Sequence, residues 1–230
     1  MKKLVVLTGA GISAESGIKT FRESGGLWEE YDVTEVASPM GWALNRELVL
    51  KFYNDRRKQL SESIPNAGHY GVAALEKYFD VHVITQNIDN LHERAGSTKI
   101  LHLHGELTKA RSTVDPSLVY DISYNDINPG DKCEKGSQLR PHVVWFGEQV
   151  DNFSAATVMA AKADIFIVVG TSLVVYPAAG LIDFVPDSTP KYLIDPDARE
   201  IYGIHNLTVL PEKAGKGVPE LVEKLLTTEN

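Results

Sequence analysis

The sequence predicts a doubly wound α/β fold, and three observations carry the reading. Short apolar runs rich in β-branched residues recur along the chain, helical stretches separate them, and the first run ends in a glycine-rich turn. A run that is apolar on both faces belongs inside a parallel sheet covered on both sides. Strands alternating with helices make such a sheet doubly wound, in the Rossmann-like manner. At 230 residues, 43% hydrophobic and 23% charged, the chain can build one domain with a sizeable core.

Taken in order, strands are expected at residues 4–8, 81–85, 100–104, 142–145, 165–169, 192–194 and 207–210, and helices at 45–60, 71–79 and 155–163. The last helix places Val218, Leu221, Val222 and Leu225 at i, i+3, i+4 and i+7, with Pro219 near its start. Two stretches break the rhythm. Residues 26–69 are helical with polar residues among the apolar ones, and 108–140 are rich in turns such as Asn128-Pro129-Gly130. We read both as insertions that build a smaller lobe, leaving a Rossmann-like lobe at about 1–25, 70–107 and 141–230. A ligand is expected in the cleft between the lobes.

Composition excludes several classes. Lys and Arg number 23 against 31 Asp and Glu, a net charge of −8 that offers no footprint for nucleic acid or an anionic membrane. The single cysteine excludes a disulfide framework or a cysteine-rich zinc cluster within the chain and points to a reducing compartment. After Met1-Lys2-Lys3 only four apolar residues precede Thr8, too few for a signal-peptide core or a membrane span. The expectation is a cytoplasmic, monomeric protein.

The first strand runs into Thr8-Gly9-Ala10-Gly11-Ile12-Ser13-Ala14-Glu15-Ser16-Gly17, where Gly9, Gly11 and Ala14 meet the G-x-G-x-x-G/A spacing of a dinucleotide fingerprint. Glycines let the backbone turn sharply and approach a pyrophosphate, whose charge the free N–H groups of a helix N-terminus stabilise. A tight turn with no ligand would read the same way. An acidic residue about 20 positions later should hold the adenosine ribose, but Glu29, Glu30 and Asp32 fall in the inserted segment. Asp195, ending the strand at 192–194, is the better ribose partner, and Gly170-Thr171-Ser172 makes a second small-residue strand end. That layout disfavours a plain dehydrogenase.

Further motifs follow in order: Phe21-Arg22, Thr85-Gln86-Asn87-Ile88-Asp89, His102-Leu103-His104-Gly105, Arg140-Pro141-His142-Val143-Val144-Trp145-Phe146-Gly147-Glu148, and Gly170-Thr171-Ser172 onward to Pro177. Together they resemble the sirtuins, the NAD-dependent protein lysine deacylases, over nearly the whole chain, and most of all the bacterial branch that removes acidic acyl groups. The resemblance implies NAD as co-substrate and acylated lysine side chains of proteins as substrate. The acyl carbonyl oxygen would attack C1′ of the nicotinamide ribose, and a histidine would take a proton from the ribose diol. Free lysine, nicotinamide and O-acyl-ADP-ribose would result.

By motif position the base is His104, with Asn87 and Asp89 on the nicotinamide ribose and carboxamide and Gln86 on the ribose. Gly9, Ala10, Gly11, Ile12, Ile88, Gly170, Thr171, Ser172 and Asp195 would line the rest of the cofactor site, Phe21 would cover the ribose, and Arg22 would support the phosphates. Glu15 is implied at the cofactor as well, although it and Ser16 could instead cap the first helix. Val144, Phe146 and Gly147 would form the strand edge along which the substrate peptide lies.

Within 45–60, Val49, Tyr53, Arg56 and Leu60 fall on one helical stripe. An arginine in such a stripe finds an anion, snorkels to water or joins an internal ion pair. The resemblance matches Tyr53 and Arg56 with the pair that reads a terminal carboxylate in the desuccinylase and demalonylase branch, and Ala37 with the small residue that widens the slot. It implies removal of succinyl and malonyl groups, with acetyl also accepted. An enzyme that hydrolyses NAD or transfers ADP-ribose from the same pocket is the alternative. Most sirtuins hold a zinc ion with four cysteines, and in this chain those places read Ser112, Asp115, Lys132 and Lys135, with Cys133 one position off. Lysine ammonium is no zinc donor, so no structural metal is expected. Cys133 is expected at the surface, with the lobe held by Leu118, Val119, Tyr120, Ile122, Tyr124 and Ile127.

Overall fold

The computed structural model describes residues 1–19, 31–171, 178–198 and 203–228. In chain order the strands are β1 Lys3–Thr8, β2 Asp80–Thr85, β3 Ile100–His102, β4 Gly105–Ser112, β5 Val119–Asp121, β6 Leu139–Val143, β7 Ile165–Val169, β8 Lys191–Ile194 and β9 Leu207–Leu210. The helices are α1 Gly11–Ala14, α2 Val33–Val36, α3 Pro39–Leu44, α4 Arg46–Glu62, α5 Ala67–Ala74, α6 Leu91–Ala95, α7 Phe153–Ala160 and α8 Ala214–Thr228. Among the described residues no helix is long and apolar enough to cross a membrane.

Six strands form a parallel sheet in the order β3-β2-β1-β7-β8-β9. The winding reverses between β1 and β7, which pair from Leu4–Ile165 to Thr8–Val169. The carboxyl ends of these two strands therefore open the crevice at which doubly wound folds bind ligands. Both strands are buried on both faces, as their apolar runs require. Leu4 and Val6 join Val72, Leu75, Val218 and Leu221 of one helical layer, whereas Val5 and Leu7 join Ala156, Ala160 and Leu181 of the other. Each fully buried Val or Leu contributes about 1.5–3 kcal/mol, so the sheet is anchored from both sides.

Several boundaries differ from expectation: the strand expected at 100–104 ends at His102, and the helix expected at 155–163 runs Phe153–Ala160. The helix expected at 71–79 begins at Ala67, because Asn66 caps it by accepting from the Gly68 N–H while His69 reciprocates toward the Asn66 N–H. It tightens into a 3₁₀ turn at Leu75–Lys77. The strand expected at 142–145 is β6, which pairs with β4 and ends at Val143, where the chain turns to bury Trp145.

A second, antiparallel sheet has the order β5-β4-β6. Of the residues expected to hold this lobe, Ile127 is buried, Ile122 and Tyr124 pack at the margin, and Val119 is exposed on the short edge strand β5. The larger share of its core comes from Val49, Leu50, Phe52, Tyr53 and Leu60 of α4, packed on Leu107, Ala110, Val143, Trp42 and Trp145. Cys133 is buried rather than superficial. Its Sγ lies 3.3 Å from Ser112 Oγ and 3.1 Å from Ser137 Oγ, and the hydrogen bonds it shares with these two hydroxyls bring the thiol pKa down to about 7. Lys135 Nζ meets Asp115 Oδ2 at 2.6 Å. This end of the small lobe thus carries a thiol–hydroxyl cluster and an ion pair.

Candidate active site

The fingerprint glycines work by close approach of two strand-end loops. A Cβ on Gly11 would lie 2.7 Å from Gly170 Cα, and one on Gly9 would lie 2.7 Å from Thr171 Cβ. The Gly9 N–H donates to Val169 O at 3.0 Å and the Gly11 N–H to Gly170 O at 2.8 Å. Ile12 is buried beneath them, and Ala10 stands half-buried at the start of α1, which is a single turn. Glu15, expected at the cofactor, is exposed and meets the start of α8. Its Oε2 accepts the Gly215 N–H at 2.7 Å, so the carboxylate caps the N-terminus of α8, where the helix dipole favours negative charge. Ser16 Oγ accepts from Asn66 Nδ2 at 2.9 Å and so caps nothing on α1.

The end of β2 is held by a buried polar network. Asn87 Nδ2 donates to Gly9 O at 3.1 Å and to Ser13 Oγ at 3.2 Å, and Ser13 Oγ donates to Asp89 Oδ2 at 2.9 Å. His69 Nε2 stands 3.5 Å from the same hydroxyl. Thr8 Oγ1 donates to Thr85 Oγ1 at 2.8 Å, Thr85 Oγ1 also accepts the Asn87 N–H at 3.0 Å, and His92 Nε2 lies 3.0 Å from Thr8 Oγ1. Because the Thr8 proton goes to Thr85, the His92 nitrogen is the donor in that last bond. Burial pushes His69 down to about 4 and His92 well below the ordinary imidazole value, so both rings are neutral. Burial raises the Asp89 carboxyl, against the bonds from the Leu91 N–H and Ser13. Sequence reasoning missed Ser13, His69, Thr8, Thr85 and His92 as a set. Ser13 stood inside the fingerprint, but nothing in the chain announces that His69 and His92 meet at 5.0 Å.

The two histidines after β2 have different fates. His102 Nδ1 lies 3.0 Å from Asn87 O and Nε2 lies 2.8 Å from Glu93 Oε1, so both nitrogens are engaged. Burial works against charge there, but the Glu93 hydrogen bond and charge outweigh it and the pKa rises. His104 Nδ1 lies 2.9 Å from Gln86 O. A carbonyl only accepts, so Nδ1 carries the proton and Nε2 is left as the basic nitrogen. Burial lowers the pKa of this ring, with the Gln86 bond opposing.

The groups around the crevice suit a dinucleotide. Gln86 Nε2 is buried with no hydrogen-bond partner among the described residues, an unsatisfied donor beside His104. Ile88 gives its carbonyl to the Leu107 N–H, which fixes the loop between Asn87 and Asp89. Asp195 follows β8 directly, is 9% exposed, and accepts the Asp197 N–H at 3.0 Å, while burial raises its carboxyl pKa. Gly170 donates to Ile194 O at 2.8 Å, so the ends of β7 and β8 are adjacent. Phe21, Arg22 and Ser172 lie outside the described residues.

Of the residues expected to receive a peptide, Val144, Phe146 and Gly147 belong to the turn that follows β6 rather than to a strand edge. The Val144 N–H donates to His104 O at 2.9 Å, the Phe146 N–H to Ala37 O at 3.0 Å, and Gly147 has φ +89, which favours glycine. Phe146 is exposed and lines an apolar groove of ≈ 360 Å³ with Val33, Thr34, Ser38, Pro39 and Met40. The turn is pinned by Glu148, whose Oε2 accepts the Trp145 N–H at 2.8 Å and whose carboxylate pairs with Arg140 at 2.6 Å and Arg111 at 3.2 Å.

On α4, Val49, Tyr53 and Leu60 are buried as the stripe requires, and Arg56 is half-buried with its guanidinium 4.0 Å from the Phe52 ring centroid. Arg57 is the fully buried cation, which spacing did not reveal. Its Nε donates to Leu107 O at 2.8 Å, and its Nη1 reaches Asn54 Oδ1 and Asn125 O. Tyr53 is 3% exposed, its hydroxyl accepts from Trp145 Nε1 at 3.0 Å, and burial pushes its pKa to about 12.

Comparison with known proteins agrees with this geometry. A protein of Bacteroides thetaiotaomicron named NAD-dependent protein deacylase is 53% identical over 231 residues, covering 98% of this chain and 99% of the relative. One of the same name from Helicobacter pylori strain J99 is 51% identical over 226 residues, 98% and 96% of the two chains. The crystal structure of a Sir2 homologue in complex with NAD superposes with a TM-score of 0.89 at 42% identity, covering 100% of this chain and 91% of that one. Residues 9–177, from the fingerprint to the segment after β7, match the Sir2 family, and the chain belongs to that family.

Proposed function

We propose that this chain is an NAD-dependent protein lysine deacylase that favours acyl groups ending in a carboxylate, succinyl and malonyl, and accepts acetyl. Full-length relatives named for NAD-dependent protein deacylation support the reaction class. Bound NAD supplies an electrophilic ribose carbon with nicotinamide as its leaving group. Gly9, Ala10, Gly11 and Ile12 with Gly170 and Thr171 hold its pyrophosphate at the switch point, and Asp195 holds the adenosine ribose. Gln86, Asn87, Ile88 and Asp89 take the nicotinamide end. Phe21, Arg22 and Ser172 complete this set.

His104 is the base. The observation that supports it best is the Nδ1–Gln86 bond, which leaves Nε2 free to take a proton from a sugar hydroxyl. Burial keeps the ring neutral near pH 7, the form a base needs. Ser13 holds Asn87 and Asp89 in fixed orientation, so the residues facing the cofactor are organised before it binds. Val144, Phe146 and Gly147 receive the substrate peptide, and Ala37 opens the slot for the modified lysine.

Acyl choice follows from α4. Tyr53 offers a hydroxyl and Arg56 a guanidinium one turn later, two donors suited to a carboxylate. The test is product analysis by mass spectrometry with matched acetyl- and succinyl-lysine peptides, using the native enzyme and Arg56→Met. We expect O-acyl-ADP-ribose only when acylated peptide is present, and a desuccinylation-to-deacetylation ratio lower by roughly 10- to 100-fold in the variant, the worth of a hydrogen bond to a charged group. Equal losses on both peptides would refute the carboxylate reading. ADP-ribose formed without peptide would favour an NAD hydrolase.

A further inference from the structure

We propose that Trp145 is a positioning residue for acyl choice: its indole N–H, by donating to the Tyr53 oxygen, turns the Tyr53 O–H toward the acyl chain as a donor. The inference deepens the carboxylate reading and rests on it. An indole nitrogen donates and never accepts, so in the 3.0 Å Trp145–Tyr53 bond the phenol oxygen must be the acceptor. The hydroxyl proton of Tyr53 therefore points away from Trp145, and it meets no acceptor among the described residues. A slot lined this way favours a chain that ends in an acceptor over one that ends in a methyl group.

The bond is built to hold its direction. Trp145 and Tyr53 are 2% and 3% exposed, so water does not compete. The Arg140 guanidinium lies 3.3 Å from the Trp145 ring centroid, and Glu148 binds both Arg140 and the Trp145 backbone N–H. On the other side, the Tyr53 ring packs edge-on to Phe52 at 5.1 Å, and Phe52 carries the Arg56 guanidinium on its face. A continuous row, Trp145–Tyr53–Phe52–Arg56, thus links the turn that receives the peptide to both groups that read the carboxylate. Through it the substrate turn sets the orientation of the acyl readers.

The test compares kcat/KM on succinyl- and acetyl-lysine peptides for the native enzyme, Trp145→Phe, Tyr53→Phe and the double variant. Trp145→Phe should lower the succinyl-to-acetyl ratio roughly three- to tenfold, the worth of one neutral hydrogen bond, chiefly through KM for the succinyl peptide. The double variant should show the same ratio as Tyr53→Phe alone, because the indole N–H has nothing to orient once the hydroxyl is gone. If Trp145→Phe does not fold, substitution of Trp145 by its benzothienyl analogue removes only the N–H and decides the matter by the same ratio. An unchanged ratio in the Trp145 variants alongside a lowered one in Tyr53→Phe, or additive losses in the double variant, would overturn the inference and leave the carboxylate reading standing. An unchanged ratio in both Tyr53→Phe and Arg56→Met would sink that reading and this inference with it.

Discussion

His104 Nδ1 lies 2.9 Å from the carbonyl oxygen of Gln86, and this contact decides which ring nitrogen is basic. Replacement of His104 by Ala should lower kcat/KM by roughly 10²- to 10⁴-fold, the usual contribution of a general base. The pH dependence has a definite sign. Burial lowers the His104 pKa from its ordinary value of 6.5, and only the neutral ring can accept a proton. The acidic limb of kcat/KM against pH should therefore have its midpoint below 6.5, and activity should rise through that limb as pH increases. A midpoint above 6.5 would assign the limb to another group, such as His102, whose pKa is raised by Glu93.

Ser13 is the hub on which Asn87 and Asp89 are hung. Its hydroxyl gives one bond to Asp89 and receives one from Asn87, so Ser13→Ala frees two buried polar groups at once. A buried group left without its partner costs about 1–3 kcal/mol. We expect kcat/KM for NAD to fall roughly tenfold or more, with KM for the acyl-peptide changed much less. Steady-state kinetics with each substrate varied in turn would check this, and an equal rise in both KM values would argue against the hub role.

The junction of the two strand-end loops should be the least forgiving backbone position of the site. Gly170 has φ +65, and a Cβ there would lie 2.2 Å from the Ile12 nitrogen. Gly130 also has positive φ, +98, but a Cβ there meets nothing within 4 Å. Gly130→Ala incurs backbone strain of about 1–2 kcal/mol. Gly170→Ala adds overpacking to that strain, about 1–3 kcal/mol more. For a chain of this size, Tm should then drop about 5–15 °C for Gly170→Ala and clearly less for Gly130→Ala, by thermal denaturation of the two variants.

The contrast between these glycines shows what the chain made legible. The strands that bear the site were readable because β1 and β7 are apolar on both faces, a pattern with few other homes. The fingerprint placed Gly9 and Gly11 at the crevice, but their direct steric partner, Gly170, is distant in sequence and no local pattern couples them. Glu15 stands in the motif, and nothing local announces that its carboxylate caps the N-terminus of α8, 200 positions away. Cys133 was misplaced because its own turn, which also holds Ser137, folds against the end of β4 at Ser112, a contact that no local pattern announces. Helical spacing located the stripe of α4, but a stripe resolves direction only to about one residue, so it could not tell Arg56 from Arg57 as the buried cation.

That last ambiguity yields a separation by experiment. Arg57 is 0% exposed and spends its donors on Leu107 O, Asn125 O and Asn54 Oδ1, all fixed parts of the small lobe. Burial pulls its pKa down to about 10, with the charge of Asp126 opposing. Arg57→Met removes the donor from the buried Leu107 carbonyl and from Asn125 O, and it should destabilise the protein by roughly 2–4 kcal/mol, with Tm falling by about 4–16 °C. Arg56 is only half-buried against Phe52, so Arg56→Met should move Tm much less and act on the succinyl-to-acetyl ratio instead. Thermal denaturation and the two-peptide ratio, measured on both variants, separate stability from recognition. If Arg57→Met shifted the ratio while leaving Tm in place, the carboxylate reader would be Arg57, and the roles of the two neighbouring arginines would be reversed.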